Sequence, residues 1–279
     1  MLNAGDRVTY ENWRELFADF DPIFVIANSE AQTLQTLYAE APESALFVFF
    51  NRADRLLPDV FHGKSLLVTR SNQAGSELVY RGQLDLVAKS FDPQTFLGFM
   101  NLKVADFETL QRIEDFGNYP AGTLDLSGYL ADFYPPDHTA SSGFALAAWL
   151  SEMSRRQKVV LSGFSGLRSE DRKVFLVHDW TFEQTALRVL KDCGRLSFAE
   201  PSSENRYRGF LRHFPDTGDP NLLLAAIETL ATRLENAERM IDRLMSVTAP
   251  QRRLSTWLKS IRPKTRKQKI LDKRANEKQ

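Results

Sequence analysis

Two runs of apolar residues constrain the fold of this chain more than any other feature of its sequence. Residues 23–27 read IFVIA and residues 45–50 read ALFVFF, with no polar residue in either run. A strand with one face in water alternates apolar and polar side chains, so unbroken runs predict strands that are buried on both faces. Shorter runs at residues 65–69 and 158–161 fit the same pattern, and helical patterns lie between them. This order predicts an α/β fold, a Rossmann-like parallel sheet with helices on both faces.

The segment between the third strand and residue 137 gives a weaker signal. Short helices are expected at residues 94–100 and 106–113, within loops that contain Gly, Tyr and Pro. Such loops at the edge of an α/β sheet are typical places for substrate contacts. A last short strand is expected at residues 195–198.

A heptad pattern follows the α/β region. Its apolar positions are spaced alternately by four and three residues: Leu223, Ile227, Leu230, Leu234, Ala237, Ile241 and Leu244. This spacing predicts a helix over residues 222–245 that either forms a homo-oligomer as a coiled coil or packs on its own domain. The chain therefore divides into an α/β domain at 1–215, a helical extension at 216–262 and a disordered basic tail at 263–279.

Charge is unevenly distributed along the chain. Residues 251–279 hold eleven Lys and Arg against two acidic residues, so in this electroneutral sequence the remainder carries a net charge of −9. Residues 251–262 mix Leu, Trp and Ile with basic residues, which is typical of a helix lying on an anionic membrane surface. Nucleic acid is not an expected partner, because the body is acidic and the tail lacks interleaved aromatic residues.

The numbers and positions of cysteine and histidine argue against an internal disulfide and against a histidine metal site. The single cysteine, Cys193, allows no internal disulfide, which fits a reducing compartment, and no N-terminal signal pattern is present. The four histidines lack the close spacing of a metal site. We therefore expect a cytoplasmic protein, with peripheral contact to the inner membrane as an option, and no metal or other cofactor.

A helix start and a nearby strand end form the first candidate site. Ser141 and Ser142 can cap the apolar helix that begins around Gly143. The strand after that helix ends at Gly163. In open α/β sheets, helix N-termini beside the carboxyl ends of strands bind phosphate-bearing ligands.

The second candidate is a histidine at another helix start. His178 precedes an amphipathic helix, and Glu183 follows five residues later. Imidazole titrates near neutral pH, and the positive end of a helix dipole favours its neutral form, so His178 suits a general base. A histidine in this position can equally serve only as a structural cap.

These features together resemble the sialyltransferase superfamily, which includes the animal-type and bacterial sialyltransferases and related Kdo transferases. Asn28 in IANSEAQTL and Asn51 at the end of FVFFN resemble the two asparagines of the first sialyl motif. Ser141-Ser142-Gly143, followed by VVLSGFSG, is similar to the second motif, and His178 with Glu183 matches the final motif, His-x-x-x-x-Glu. The likeness covers roughly residues 21–200.

The resemblance implies an inverting glycosyltransferase that moves sialic acid or Kdo from a CMP donor to a glycan or glycolipid hydroxyl. His178 and Glu183 would be the catalytic residues. Nucleotide-binding residues would be Asn28, Ser29, Asn51, Ser141, Ser142, Gly143 and Gly163. Bacterial surface-glycan synthesis, of lipopolysaccharide or capsule, is the expected setting.

Two positions depart from the family pattern. Ala27 stands where a glycine is usual, and no His or Tyr matches the family's residue for the leaving phosphate. Arg168, Arg172 or Lys173 are the expected substitutes. Two alternatives stay open, a glycosyltransferase with a different nucleotide-sugar donor and a non-catalytic, membrane-associated coiled-coil scaffold.

Overall fold

The computed structural model describes residues 9–10, 12–28, 31–70, 78–153, 157–164, 177–199, 213 and 219–261. It divides the chain into two compact units, residues 1–202 and 203–279. The first unit is built on one sheet, and the described part of the second is a long helix.

The sheet of the first unit has eight strands, all parallel to their neighbours. They are β1 Thr9–Tyr10, β2 Ile23–Ile26, β3 Leu46–Phe50, β4 Ser65–Arg70, β5 Phe96–Lys103, β6 Ala121–Asp125, β7 Val159–Ser162 and β8 Ser197–Phe198. Their order in the sheet is β1-β6-β5-β4-β3-β2-β7-β8. The strand order reverses at β2, because β3 lies on one side of it and β7 on the other. Ligands of open α/β sheets bind at such a switch point, beyond the carboxyl ends of the strands.

Helices cover both faces of this sheet. They are α1 Trp13–Ala18, α2 Ala31–Glu40, α3 Leu84–Ala88, α4 Ser127–Ala131, α5 Ser142–Met153 and α6 Trp180–Asp192, with 3-10 helices at Ala53–Arg55 and Ile113–Phe116. Apolar residues of α1, α4, α5 and α6 pack in one core cluster, and those of α2 and α3 pack in another. The prediction of a Rossmann-like parallel sheet covered on both sides is confirmed.

Alternate residues of each central strand enter different clusters, which explains the unbroken apolar runs. In β2, Ile23 and Val25 belong to the cluster with α5, while Phe24 and Ile26 belong to the cluster with α2. All four are buried. Each such side chain contributes roughly 1.5–3 kcal/mol on burial, so a polar residue at any of these positions would weaken one layer or the other.

The prediction of two short helices at 94–100 and 106–113 is wrong. Residues Phe96–Lys103 form β5, and residues 106–112 are irregular before the 3-10 helix that begins at Ile113. Gly98 interrupts the apolar run of β5 because only glycine fits there. Its φ is +103°, and an added Cβ would lie 2.0 Å from the carbonyl oxygen of Pro120.

The described part of the second unit is dominated by α7, Asp219–Ile261, which is 43 residues long. The predicted C-terminal helix is therefore present. The described residues contain no helix that is both long and apolar enough to cross a membrane.

Candidate functional site at the carboxyl edge of the sheet

Polar side chains converge where β2, β3 and β4 end. Asn28 follows β2, Asn51 follows β3, and Arg70 is the last residue of β4. Because the three strands are parallel neighbours, these residues emerge at one edge of the sheet. The same edge lies beside the switch point between β2 and β7.

The two asparagines are tied to the strand ends by hydrogen bonds. Asn28 Nδ2 donates to the carbonyl oxygen of Phe50 at 3.0 Å, and Asn51 Oδ1 accepts from the backbone N–H of Arg70 at 3.3 Å. Asn51 has a φ of +39°, a left-handed conformation that asparagine tolerates better than most residues. Within the described residues no donor reaches Asn28 Oδ1, although this atom is shielded from solvent. A buried acceptor without a donor is costly, so this oxygen is suited to receive a hydrogen bond from a ligand.

Ser141 caps helix α5, as the sequence predicts. Its Oγ accepts from the N–H of Phe144 at 3.2 Å and donates to Glu183 Oε2 at 2.6 Å. The hydroxyl of Ser141 is therefore committed to the fold, whereas Ser142 and Gly143 form the first turn of the helix.

Gly143 allows the end of β7 to approach this helix start. A Cβ at Gly143 would lie 2.8 Å from the ring of Phe164, which follows Gly163. Gly163 itself has a φ of +77°, which turns the chain just after β7. The two glycines thus let the turn after β7 pack against the first turn of α5, which brings the two ends of the second motif together.

His178 is oriented by the loop that precedes α5. Its Nδ1 lies 2.5 Å from the carbonyl oxygen of Thr139, and the N–H of Thr139 donates to the carbonyl oxygen of Val177 at 2.8 Å. A carbonyl oxygen only accepts hydrogen bonds, so Nδ1 carries the proton. In the neutral ring, Nε2 then holds the basic lone pair.

The surroundings of His178 favour the neutral ring. Burial lowers the pKa of His178 below its ordinary value, and the charge of Arg70 lowers this pKa further. The hydrogen bond to Thr139 and the charge of Glu183 act in the opposite direction but do not outweigh burial. His178 is thus an uncharged base at neutral pH.

Glu183 holds the loop before α5 rather than standing open to solvent. It is 2% exposed, and its Oε1 accepts from the Tyr134 hydroxyl at 2.9 Å and from the N–H of Ser141 at 2.7 Å. Burial and the nearby Glu183 charge raise the pKa of Tyr134, which keeps its hydroxyl protonated as a donor. The same hydroxyl accepts from the N–H of Asp179 at 3.1 Å, so Tyr134 joins the start of α6 to the loop.

Arg70 and Glu108 form a buried ion pair that sequence reasoning missed. Arg70 Nε donates to Glu108 Oε1 at 2.8 Å, and Arg70 Nη1 donates to the carbonyl oxygen of Ala140 at 2.8 Å. The Glu108 side chain is fully buried, and its Oε2 accepts from the N–H of Val104 at 2.9 Å. A charged residue ending an apolar strand was the available signal for Arg70, but nothing in the sequence marked Glu108.

A connected path therefore links the predicted motifs. It runs from Asn28 to the backbone beside Asn51, through Arg70 to Ala140, and across one peptide to the residue that holds His178. Four of the predicted residues lie outside the described part of the chain: Ser29, Arg168, Arg172 and Lys173.

One concavity among the described residues lies away from this polar edge. A cavity of about 400 Å³ is lined mainly by apolar side chains of α4, α5 and α6, among them Tyr129, Phe133 and Leu190. The predicted site residues are not among its lining. Its lining also includes one acidic and one basic residue, Glu152 and Arg195, but it is mostly apolar and does not include the helix start at Ser142 and Gly143.

The fold is that of a Rossmann-like α/β protein, and hydrogen bonds link His178 to the polar edge at its strand ends. No model of a known protein family matches the chain, and no curated protein matches its sequence significantly. Among the described residues, no group of three or more His, Cys, Asp or Glu is placed to hold a metal ion.

Proposed function

We propose that the chain is an inverting glycosyltransferase that moves an acidic keto-sugar, sialic acid or Kdo, from a CMP donor to a glycan hydroxyl. The observation that carries this proposal is the hydrogen-bonded path from the two asparagines through Arg70 to the loop holding His178. It connects residues of the first and final sialyltransferase-like motifs through the loop that precedes the second. The N-cap of α6 is Asp179, whose side chain accepts from the N–H of Phe182, rather than His178.

The nucleotide would lie at the switch point. Asn28 Oδ1, a shielded acceptor without a donor among the described residues, suits a ribose hydroxyl or the cytosine amino group. The first turn of α5, at Ser142 and Gly143, presents N–H groups to a phosphate. Asn51 and Gly163 close the turns on either side of β2.

In the transfer step, His178 Nε2 takes the proton of the acceptor hydroxyl while the oxygen attacks the anomeric carbon of the sugar. The bond from that carbon to the phosphate oxygen breaks, and CMP leaves with the bonding electron pair. The proton then passes from His178 to solvent. The hydrogen bond from Nδ1 to Thr139 supports this role, because it leaves the lone pair on Nε2 and fixes the ring plane.

Glu183 acts in this proposal as a positioning residue. Its carboxylate holds Ser141 and Tyr134, and these two residues flank the carbonyl that orients His178. Its charge also raises the pKa of His178 against the effect of burial, which keeps the base from becoming too weak.

The first test is a ligand screen by thermal unfolding with CMP, CMP-sialate, CMP-Kdo, UDP and GDP. A ligand of the native state raises the melting temperature, and we expect this for CMP and one CMP-sugar. Stabilisation by UDP or GDP instead would indicate a different donor, and no shift with any nucleotide would refute the proposal.

The second test compares two histidine substitutions. His178→Asn should leave CMP binding intact and remove transfer, whereas His62→Asn, at an exposed histidine paired with Asp92, should leave both unchanged. Near-normal transfer by His178→Asn would exclude the base assignment. Asn51→Gly keeps the backbone conformation but removes the amide, so weaker CMP binding by this variant would report on the side chain alone.

Membrane contact of the acceptor is the remaining element of the proposal. Residues 251–262 combine basic and apolar side chains, which suits a glycolipid acceptor at the inner membrane. Deleting residues 251–279 should preserve transfer to soluble acceptors and reduce transfer to acceptors in anionic vesicles. A scaffold protein without catalysis would show no transfer in either form.

A further inference from the structure

Helix α7 carries an apolar stripe that is exposed among the described residues. Its members are Leu223, Ile227, Leu230, Leu234, Ile241 and Leu244, each between 54% and 66% exposed. Ala237, at the one remaining position of the repeat, is exposed as well. Leaving a continuous row of large aliphatic side chains in water is unfavourable, since each gains roughly 1.5–3 kcal/mol on full burial.

We infer that α7 joins two copies of this chain as a parallel, two-stranded coiled coil in register. The spacing assigns Ile227, Leu234 and Ile241 to the a positions of the heptad. Leu223, Leu230, Ala237 and Leu244 then occupy the d positions. Two of the three a residues are β-branched and three of the four d residues are Leu, and this combination favours two parallel strands over three or four. The proposal does not depend on the enzymatic function.

Charge complementarity supports the parallel, in-register arrangement. In a parallel pair, each g residue faces the e residue of the following heptad on the other helix. Arg233 is at g and Glu238 at the next e position, so the arginine of each copy meets the glutamate of the other. The twofold axis makes this contact twice, as a self-complementary interface requires. An antiparallel pair would bring g residues opposite g residues and would lose both contacts.

A second copy fits this stripe better than a membrane surface does. Residues 223–247 contain four carboxylates and three arginines, so the segment has a net charge of −1. Anionic lipid attracts basic faces, and this segment offers none. The apolar stripe also ends at Leu244, before Pro250, which has no backbone N–H to donate within a helix.

The stoichiometry of the full-length chain is the first test. Sedimentation velocity and light scattering should show a dimer that dissociates on dilution. Leu234→Asp should raise the dissociation constant roughly a hundredfold or more, because each dimer loses two buried leucines. Asn236→Asp places the same charge on the exposed opposite side of the helix and should leave the dimer unchanged.

A charge exchange tests orientation and register. Arg233→Glu sets glutamates opposite each other at both contacts and should weaken the dimer roughly tenfold. The residues three and four positions from Arg233 are Thr229, Leu230, Asn236 and Ala237, none charged, so this change acts little within its own helix. Arg233→Glu combined with Glu238→Arg should restore most of the affinity, with Glu238→Arg alone completing the cycle.

Several outcomes would overturn the inference. A monomer at every concentration, an oligomer larger than a dimer, or a dimer unaffected by Leu234→Asp would each refute a two-stranded α7 interface. Failure of the double charge exchange to restore affinity would refute the parallel register. Circular dichroism of each variant shows whether the α/β unit remains folded.

Discussion

Glu183→Gln tests a buried polar contact of the candidate site without changing its shape. In the native protein Glu183 Oε2 accepts from Ser141 Oγ at 2.6 Å, and Oε1 accepts from Ser141 N–H and the Tyr134 hydroxyl. Glutamine keeps an oxygen for the Oε1 contacts but places an NH₂ group where Oε2 was. The Ser141 hydroxyl then faces a donor and loses its acceptor.

The expected cost is about 2 kcal/mol of unfolding free energy. A hydrogen bond to a charged group contributes about 1.5–3 kcal/mol; here a neutral bond from the new NH₂ group to Ser141 Oγ replaces it, and the buried hydroxyl proton of Ser141 loses its acceptor. The other two bonds weaken because their acceptor becomes neutral. Relief from burying a carboxylate roughly offsets that weakening. For a unit of about 200 residues, the predicted change is a fall in melting temperature of about 4–8 °C.

Urea unfolding followed by tryptophan fluorescence measures this free energy, and Glu40→Gln is the matched control. Glu40 lies exposed at the end of α2, so the same chemical change there should stay within about 0.5 kcal/mol of the native protein. Hydrogen exchange provides a local measure, because the N–H of Ser141 loses its charged acceptor and should exchange faster in Glu183→Gln. Equal stability of the two variants would refute the anchoring role of Glu183.

Three further predictions follow from the contacts. Proton NMR should give His178 a titration midpoint below 6.5, because burial lowers the pKa of this ring; a midpoint at or above 6.5 would contradict this. Since the unfolded chain then binds the proton more tightly, the free energy of unfolding should decrease as the pH falls from about 6.5 towards that midpoint. Arg70→Met should lower the free energy of unfolding by about 3–5 kcal/mol, measured with urea, because it leaves the buried Glu108 carboxylate without a cation. Arg70→Met/Glu108→Gln should recover part of that loss, and additive effects of the two substitutions would show that these residues do not interact. Gly98→Ala should lower the free energy of unfolding by about 3 kcal/mol or more. Gly128→Ala in α4, where an added Cβ meets nothing within 4 Å, should leave it unchanged or raise it slightly, and similar values for the two variants would refute the close approach at β5.

The central strands could be predicted because burial on both faces leaves a direct mark on the sequence. Residues 23–27 and 45–50 correspond to β2 and β3 with boundaries shifted by one residue. Strand β5 left no such mark. Gly98 breaks its apolar run, and Asn101 is a polar residue that is only 1% exposed. Its amide oxygen accepts from the N–H of Gln111 at 2.8 Å, and this hydrogen bond offsets the cost of burying the side chain. Gln111 lies in a loop ten residues further on, so no local sequence pattern could indicate the contact.

The candidate site likewise contains residues that a local sequence pattern reveals and residues that it does not. Ser141 and His178 are recognisable from sequence because capping and helix starts depend on residues that are close in the chain. Tyr134, Arg70 and Glu108 act through partners 38 to 70 residues away, and a single sequence carries no information about such pairs. The sequence therefore indicated Ser141, His178 and Glu183, but not Tyr134, Arg70 and Glu108, which hold the same loop through long-range contacts.

The Arg70–Glu108 pair explains why this edge of the sheet tolerates so much buried polarity. The Arg70 guanidinium reaches the carbonyl oxygen of Ala140 only because Glu108 balances its charge, and the Glu108 side chain is completely buried. Without the pair, the loop that bears Thr139 would lose its link to β4, and the His178 ring would be positioned only by the remaining contacts of that loop with Glu183 and Val177. A hydrophobic pair at 70 and 108 would pack as well but would offer nothing to that carbonyl. The buried charges are thus better explained by the geometry they impose on the histidine than by the stability they add.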